Sequence, residues 1–230
     1  MKTAPPGLVL ALGFGLVCVL AACSAKRIED PLSQSLPASS AATAGDAEYA
    51  VLVERVAITP RQEDLRALRE AYVRTSRYTP YDGREEAEAD LVFDALDDGD
   101  LERCRLEAFR LLDHNYTSLY GHFGAMVCNR KDGRTAEADF HEDVAGGLLD
   151  VIRATGDGKS HATAFSAIST AEIRAFLTLQ GLEVLDQNLS QNGDRWFDIM
   201  SVRDPATGKE FPLYFDITLP WSVYPAEKVN

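Results

Sequence analysis

The chain is poor in cysteine, and the four it has exclude a structural zinc site. There is no CxxC, and no cysteine–histidine cluster has zinc-ligand spacing. The catalytic signatures GxSxG and HExxH are absent, and so is a P-loop. Basic residues are scarce: 23 lysines and arginines face 36 aspartates and glutamates, for a formal net charge of −13. That balance argues against nucleic acid or an anionic headgroup surface as a partner. Beyond the first 22 residues no apolar run approaches the ~20 residues that span a bilayer. With 46% hydrophobic and 26% charged residues, the remainder reads as an ordinary globular protein.

What the chain does have is a complete lipoprotein signal. Lys2 supplies a positive n-region, Gly7 to Leu20 an apolar h-region, and Leu20-Ala21-Ala22-Cys23 a lipobox. Cleavage before Cys23 and acylation of that residue would give more than the two signals that stable anchoring needs. Ser24 follows, not the aspartate that retains many such proteins at the inner membrane. Resemblance to bacterial lipoproteins implies the outer membrane, periplasmic face. A transmembrane span and an ordinary secretion signal are the weaker readings.

Residues 23–46 are rich in Ser, Ala and Pro without an apolar period, and read as a flexible tether. Residues 47–153 carry helical periodicity. Tyr49, Leu52, Val53 and Val56 make one face, and Thr59-Pro60-Arg61-Gln62 reads as a capping box that opens the next helix. Helices follow near Glu85–Leu96, Asp100–Leu112, Thr117–Arg130 and Thr135–Ile152, broken at Asp98-Gly99, His114-Asn115 and Asp132-Gly133. Two helix pairs at a spacing of roughly 32–34 residues suggest tetratricopeptide-like hairpins.

Residues 154–220 read as a small α+β part, with 221–230 as a tail. Ala164–Ser169 is a short strand. Ser169-Thr170-Ala171-Glu172 is a capping box for a helix ended by Gly181. Strands Leu182–Ser190, Arg195–Arg203 and Glu210–Thr218 then form an antiparallel sheet. The fold class is α+β. Asn192-Gly193 marks a two-residue hairpin turn, which sets Leu189 opposite Trp196 and Gln187 opposite Asp198. A four-residue second turn sets Met200 against Leu213, Val202 against Phe211 and Trp196 against Ile217. This register gathers the apolar residues on one face, a sorting that a one-residue slip would destroy.

Three constellations could carry chemistry. Asp198, paired with Gln187, falls on the apolar face, where a carboxylate needs hydrogen bonds or a pocket mouth. Thr155-Gly156-Asp157-Gly158 is either a backbone nest for an anion or a helix C-cap and turn. His122 and His141 lie equidistant from the Asp132-Gly133 break and should face one another. They are a hydrogen-bonded packing pair, or weak metal ligands lacking a third partner. His161 has no visible nucleophile–base context. Cys104 and Cys128 flank the His114–Thr117 connection at equal distance, so antiparallel helices bring them level for a disulfide. The alternative is two small buried hydrophobes.

The ordered set Thr155-Gly156-Asp157-Gly158, Ala164-Phe165 with Ile168, Gln187-Asn188-Leu189, Phe197-Asp198 and Tyr214-Phe215-Asp216 resembles an uncharacterised family of bacterial secreted lipoproteins. That family is catalogued only as a domain of unknown function. The Tyr78–Tyr81 break, His122 and His141 are similar to its helical half. The resemblance covers most of Tyr49 to Leu219 and implies that Asp157, Gln187 and Asp198 belong to one constellation. It implies no activity, cofactor or substrate. The expectation is a non-enzymatic binding or scaffold module with a lipid anchor, a protein partner in the envelope, and no nucleic acid or cofactor. The alternative is a hydrolase of envelope material using Asp157, Asp198 or His161.

Overall fold

The computed structural model describes residues 43–224, so the signal, Cys23 and all but the end of the tether lie outside the described residues. Thr43 closes a capping box with Asp46 and starts α1 (Ala44–Ile58), so the last tether residues are helical. α2 (Gln62–Tyr72) follows. The expected box at Thr59–Gln62 does not form: the helix begins after Arg61 with no side-chain cap. Asp100 caps α4 (Leu101–His114), which packs on α3 (Arg84–Asp97). Ser118 caps α5 (Leu119–Lys131), which packs on both α4 and α6 (Thr135–Arg153). Side-chain oxygens accept the orphan N–H groups of these first turns, which is why Ser, Thr and Asp mark the helix starts.

The C-terminal part holds β1 (Phe165–Ser166), α7 (Thr170–Leu179), β2 (Glu183–Asn192), β3 (Arg195–Asp204) and β4 (Lys209–Asp216), then a last turn α8 (Thr218–Trp221). The fold is α+β, and the sheet runs β1-β4-β3-β2. It is mixed, because the two-residue β1 lies parallel to β4; the all-antiparallel expectation fails there. β3–β4 pairs Met200 with Leu213 and Val202 with Phe211, and Ile217 N–H donates to Trp196 O, so the four-residue turn is as read. The β2–β3 hairpin differs. Asn192 pairs with Arg195, which puts Gly193-Asp194 in the turn, and Gly193 takes the positive φ of 65°. From Asp186 to Asn192 every cross-strand partner therefore moves by two residues, and past the irregularity between Val184 and Asp186 the shift falls to one. A two-residue slip keeps the faces and changes the neighbours: Gln187 lies opposite Met200, and Leu189 opposite Asp198.

One core unites the two parts. Leu52 and Val56 of α1, Leu65 and Leu68 of α2, and Leu148 of α6 pack with Phe176 and Leu177 of α7 and with Met200, Val202 and Phe215 of the sheet. A smaller cluster around Val92, Cys104, Ala108 and Cys128 joins α3, α4 and α5. A disulfide joins Cys104 and Cys128 there, with Cα atoms 5.9 Å apart. A buried ion pair bridges the parts. Arg69 on α2 donates to both carboxylate oxygens of Glu172 on α7, at 2.6 and 2.7 Å, and to Ser166 O at 2.6 Å. Half of the expected box at Ser169 forms: Ser169 Oγ accepts from Glu172 N–H, while the Glu172 carboxylate accepts from Ile168 N–H. The described start of the expected tail, residues 221–224, packs, since Trp221 stacks between Trp196 and Tyr224.

Candidate functional site

A concavity of about 1050 Å³ lies between α1 and the α4–α6 hairpins. Tyr49 and Val53, one helical turn apart, project from α1 into it. Phe109 and Leu112 of α4, Tyr116, and Phe140 of α6 form the opposing apolar wall. Phe109 is 67% exposed, unusual for so large an apolar side chain in a helix. The Tyr49 hydroxyl accepts from Tyr116 N–H at 2.7 Å and ties α1 to the α4–α5 connection. A second, polar cleft of about 600 Å³ shares Phe109 and includes Arg84, Arg110 and His114.

His141 lines the main cleft, and His122 stands behind it, fully buried. Their Nδ1 atoms are 3.0 Å apart, and His122 Nε2 lies 2.9 Å from Tyr116 O. A carbonyl only accepts, so His122 carries its proton on Nε2. Burial, reinforced by the His141 ring, pushes the His122 pKa down to about 3, so it is neutral and its Nδ1 is a lone pair. His141 must then donate through Nδ1–H, and its Nε2 is left as an acceptor. Burial also lowers the His141 pKa. The pair is thus a hydrogen-bonded relay. Among the described residues no group of three or more His, Cys, Asp or Glu side chains is placed to hold a metal ion.

The other sequence candidates do not converge. Asp198 is buried, and burial raises its pKa against a hydrogen bond from Gln187 and the charge of Arg174. Gln187 reaches it diagonally from an exposed position on β2, instead of from directly opposite. Asp157 is exposed and accepts from Lys159 N–H, with the Lys159 ammonium 3.1 Å away. Bonds from Thr163 and Lys159 hold its carboxyl at about 2. Its neighbours are not those of Asp198, so Asp157, Gln187 and Asp198 form no single constellation. The Gly156–Gly158 nest is also filled: Asp157 N–H and Gly158 N–H both donate to Thr163 O, at 3.0 and 2.8 Å. These glycines serve close packing, since a Cβ on Gly156 would lie 2.3 Å from Thr163 O and one on Gly158 2.4 Å from the Phe165 ring.

His161 lies on the opposite sheet face from Asp198. It makes edge contacts with Phe197 and Tyr214 at 4.8 and 4.9 Å between centroids, and its Nε2 is 3.3 Å from Ser190 Oγ. Alternation along β3 separates Phe197 from Asp198, so the three residues of the hydrolase reading share no site.

The cleft itself escaped sequence reading, although one signal for it exists. Cys104, Ala108, Leu111 and Leu112 mark the buried stripe of α4, and Phe109 stands off that stripe at helical spacing. A family model described as a domain of unknown function, DUF4919, matches residues 42–224. No curated protein and no solved structure matches the chain.

Proposed function

We propose, for a chain that belongs to the DUF4919 family of unknown function, a non-enzymatic binding role at the cell envelope. Cys23 carries the lipid anchor at the periplasmic face of the outer membrane, and the cleft between α1 and α4–α6 takes a segment of an envelope protein. One observation carries the reading: an apolar cleft of about 1050 Å³ whose rim bears a largely exposed phenylalanine, Phe109. Concave faces of stacked helical hairpins hold peptide segments in this way, with exposed aromatic side chains as anchors. The acidic net charge of −13 fits a protein partner and disfavours nucleic acid.

The test is site-specific photo-crosslinking in cells with the full lipoprotein. A photoreactive residue replaces Phe109 at the cleft, or Ile58, which is 83% exposed and outside it. Discrete adducts from position 109 and none from position 58 are expected. Equal adducts from both positions, or none from position 109, would overturn the reading.

A further inference from the structure

We propose that β2 pairs edge to edge with the β2 of a second copy of the chain, antiparallel about a two-fold axis at Leu189. No residue of β2 lines the cleft, so this surface is separate from the one described above.

β2 is the open edge of the sheet. β3 flanks it on one side, and among the described residues no strand flanks it on the other. The opposite edge is β1, which at two residues is too short to template a partner. β2 runs ten residues, and all are exposed except the half-buried Ser190. Edges of this length are normally blunted by lysine, proline or an inward charge. Residues 186–192 include neither lysine nor proline, and their one charge, Asp186, stands at the end. The irregularity between Val184 and Asp186 stops regular pairing there, so 186–192 is the usable run.

That run is chemically symmetric about its midpoint, Leu189. Asn188 and Ser190 flank it, then Gln187 and Gln191, then Asp186 and Asn192. Pairing about Leu189 sets Asn188 against Ser190 of the second copy, Gln187 against Gln191 and Asp186 against Asn192. No carboxylate meets a carboxylate, and the amide opposite Asp186 can donate to it. Leu189, the one apolar side chain of the run and 50% exposed, meets its own copy at the axis.

The backbone selects the same register. Gly193-Asp194 is a two-residue turn, so Asn192 and Arg195 form a hydrogen-bonded pair. Bonded and non-bonded pairs alternate from there along the hairpin. Asn188 and Ser190 therefore spend their backbone groups on β3, and Gln187, Leu189 and Gln191 turn theirs outward. An antiparallel partner must match outward residues with outward residues. Centring on Leu189 matches all three from each copy. Centring on Asn188 or Ser190 leaves one of them unmatched, and centring between two residues sets outward groups against inward ones. A single strand pairing is smaller than a standard interface of about 1,600 Å², so the dimer is weak and its assay must trap it.

The test is cysteine cross-linking of the full chain in cells, under mild oxidant, read on non-reducing gels. The native chain, with Cys104 and Cys128 already joined, is the blank. Hydrogen-bonded antiparallel partners have Cα atoms about 5.5 Å apart, inside the disulfide range of about 4.4–6.8 Å. Leu189→Cys should therefore give a covalent dimer. Gln187→Cys and Gln191→Cys should each give none alone, because like positions lie about 13 Å apart along the strands. Co-expressed, these two should give a mixed dimer. Leu189→Lys places two ammonium groups at the axis and should cut the mixed dimer at least tenfold while leaving the melting temperature unchanged. No dimer from Leu189→Cys, or equal yields from all three single variants, would overturn the proposal. A Leu189→Cys dimer without the mixed one means another register and also overturns it. So do adducts of the Leu189→Cys chain with other proteins alone, which mean that a foreign strand covers this edge.

Discussion

Replacing Arg69 by methionine leaves the Glu172 carboxylate inside the protein with one donor, Ile168 N–H at 2.9 Å. Both residues are buried, with side chains 7% and 8% exposed, so water cannot replace the lost guanidinium. Removing one partner of a buried pair costs about 3–5 kcal/mol, because the survivor is an uncompensated charge. Glu172→Leu should cost as much: it strands the guanidinium and also the Ile168 N–H. The double variant strands no charge. It leaves two neutral groups, Ser166 C=O and Ile168 N–H, each costing about 1–3 kcal/mol when orphaned. The double variant should therefore be no worse than either single variant, with a coupling energy of at least about 2 kcal/mol in a double-mutant cycle. Urea unfolding with a common m-value is the assay. Additivity within ~0.5 kcal/mol would refute the reasoning, since sites that do not interact add to that tolerance.

Reducing the Cys104–Cys128 disulfide, with its sequence separation of 24, removes a loop constraint worth about 3 kcal/mol and should lower Tm by about 6–12 °C. Melting with and without dithiothreitol checks this, and an unchanged Tm in a protein shown by mass to be reduced would refute it. Burial raises the Glu85 carboxyl from 4.5 to about 7, against hydrogen bonds from Ser118 and Asn115. The folded state then binds the proton more tightly than the unfolded state, so this group's stabilisation is full below about pH 4.5 and is lost as the pH rises through about 7. The loss is roughly 3 kcal/mol. Glu85→Gln should flatten that slope in pH-dependent urea unfolding; an unaltered slope would count against the assignment. Cys23→Ser should leave an unprocessed or soluble protein on membrane fractionation, and normal fractionation with normal mobility would remove Cys23 as the anchor.

Local chemistry written into the chain was legible without the fold. The capping hydroxyl at Ser169 and the breaks at Asp98-Gly99 and Asp132-Gly133 set helix limits, because each satisfies or ends a backbone ladder within a few residues. The β3–β4 register was legible because the turn residues 205–208 fix the loop length, and alternation then puts Met200, Val202 and Phe215 on one buried face. The β2–β3 register was not legible, because β2 is an exposed edge strand and a shift of two residues leaves its faces unchanged. The single core joining α1, α2 and α6 to the sheet, the Arg69–Glu172 bridge and the cleft beside Phe109 were decided only in three dimensions. Their partners stand as far as 103 residues apart in the chain. No periodicity carries information over that range. Only packing decides whether a polar group such as Glu172 is buried with a partner or left facing a cavity.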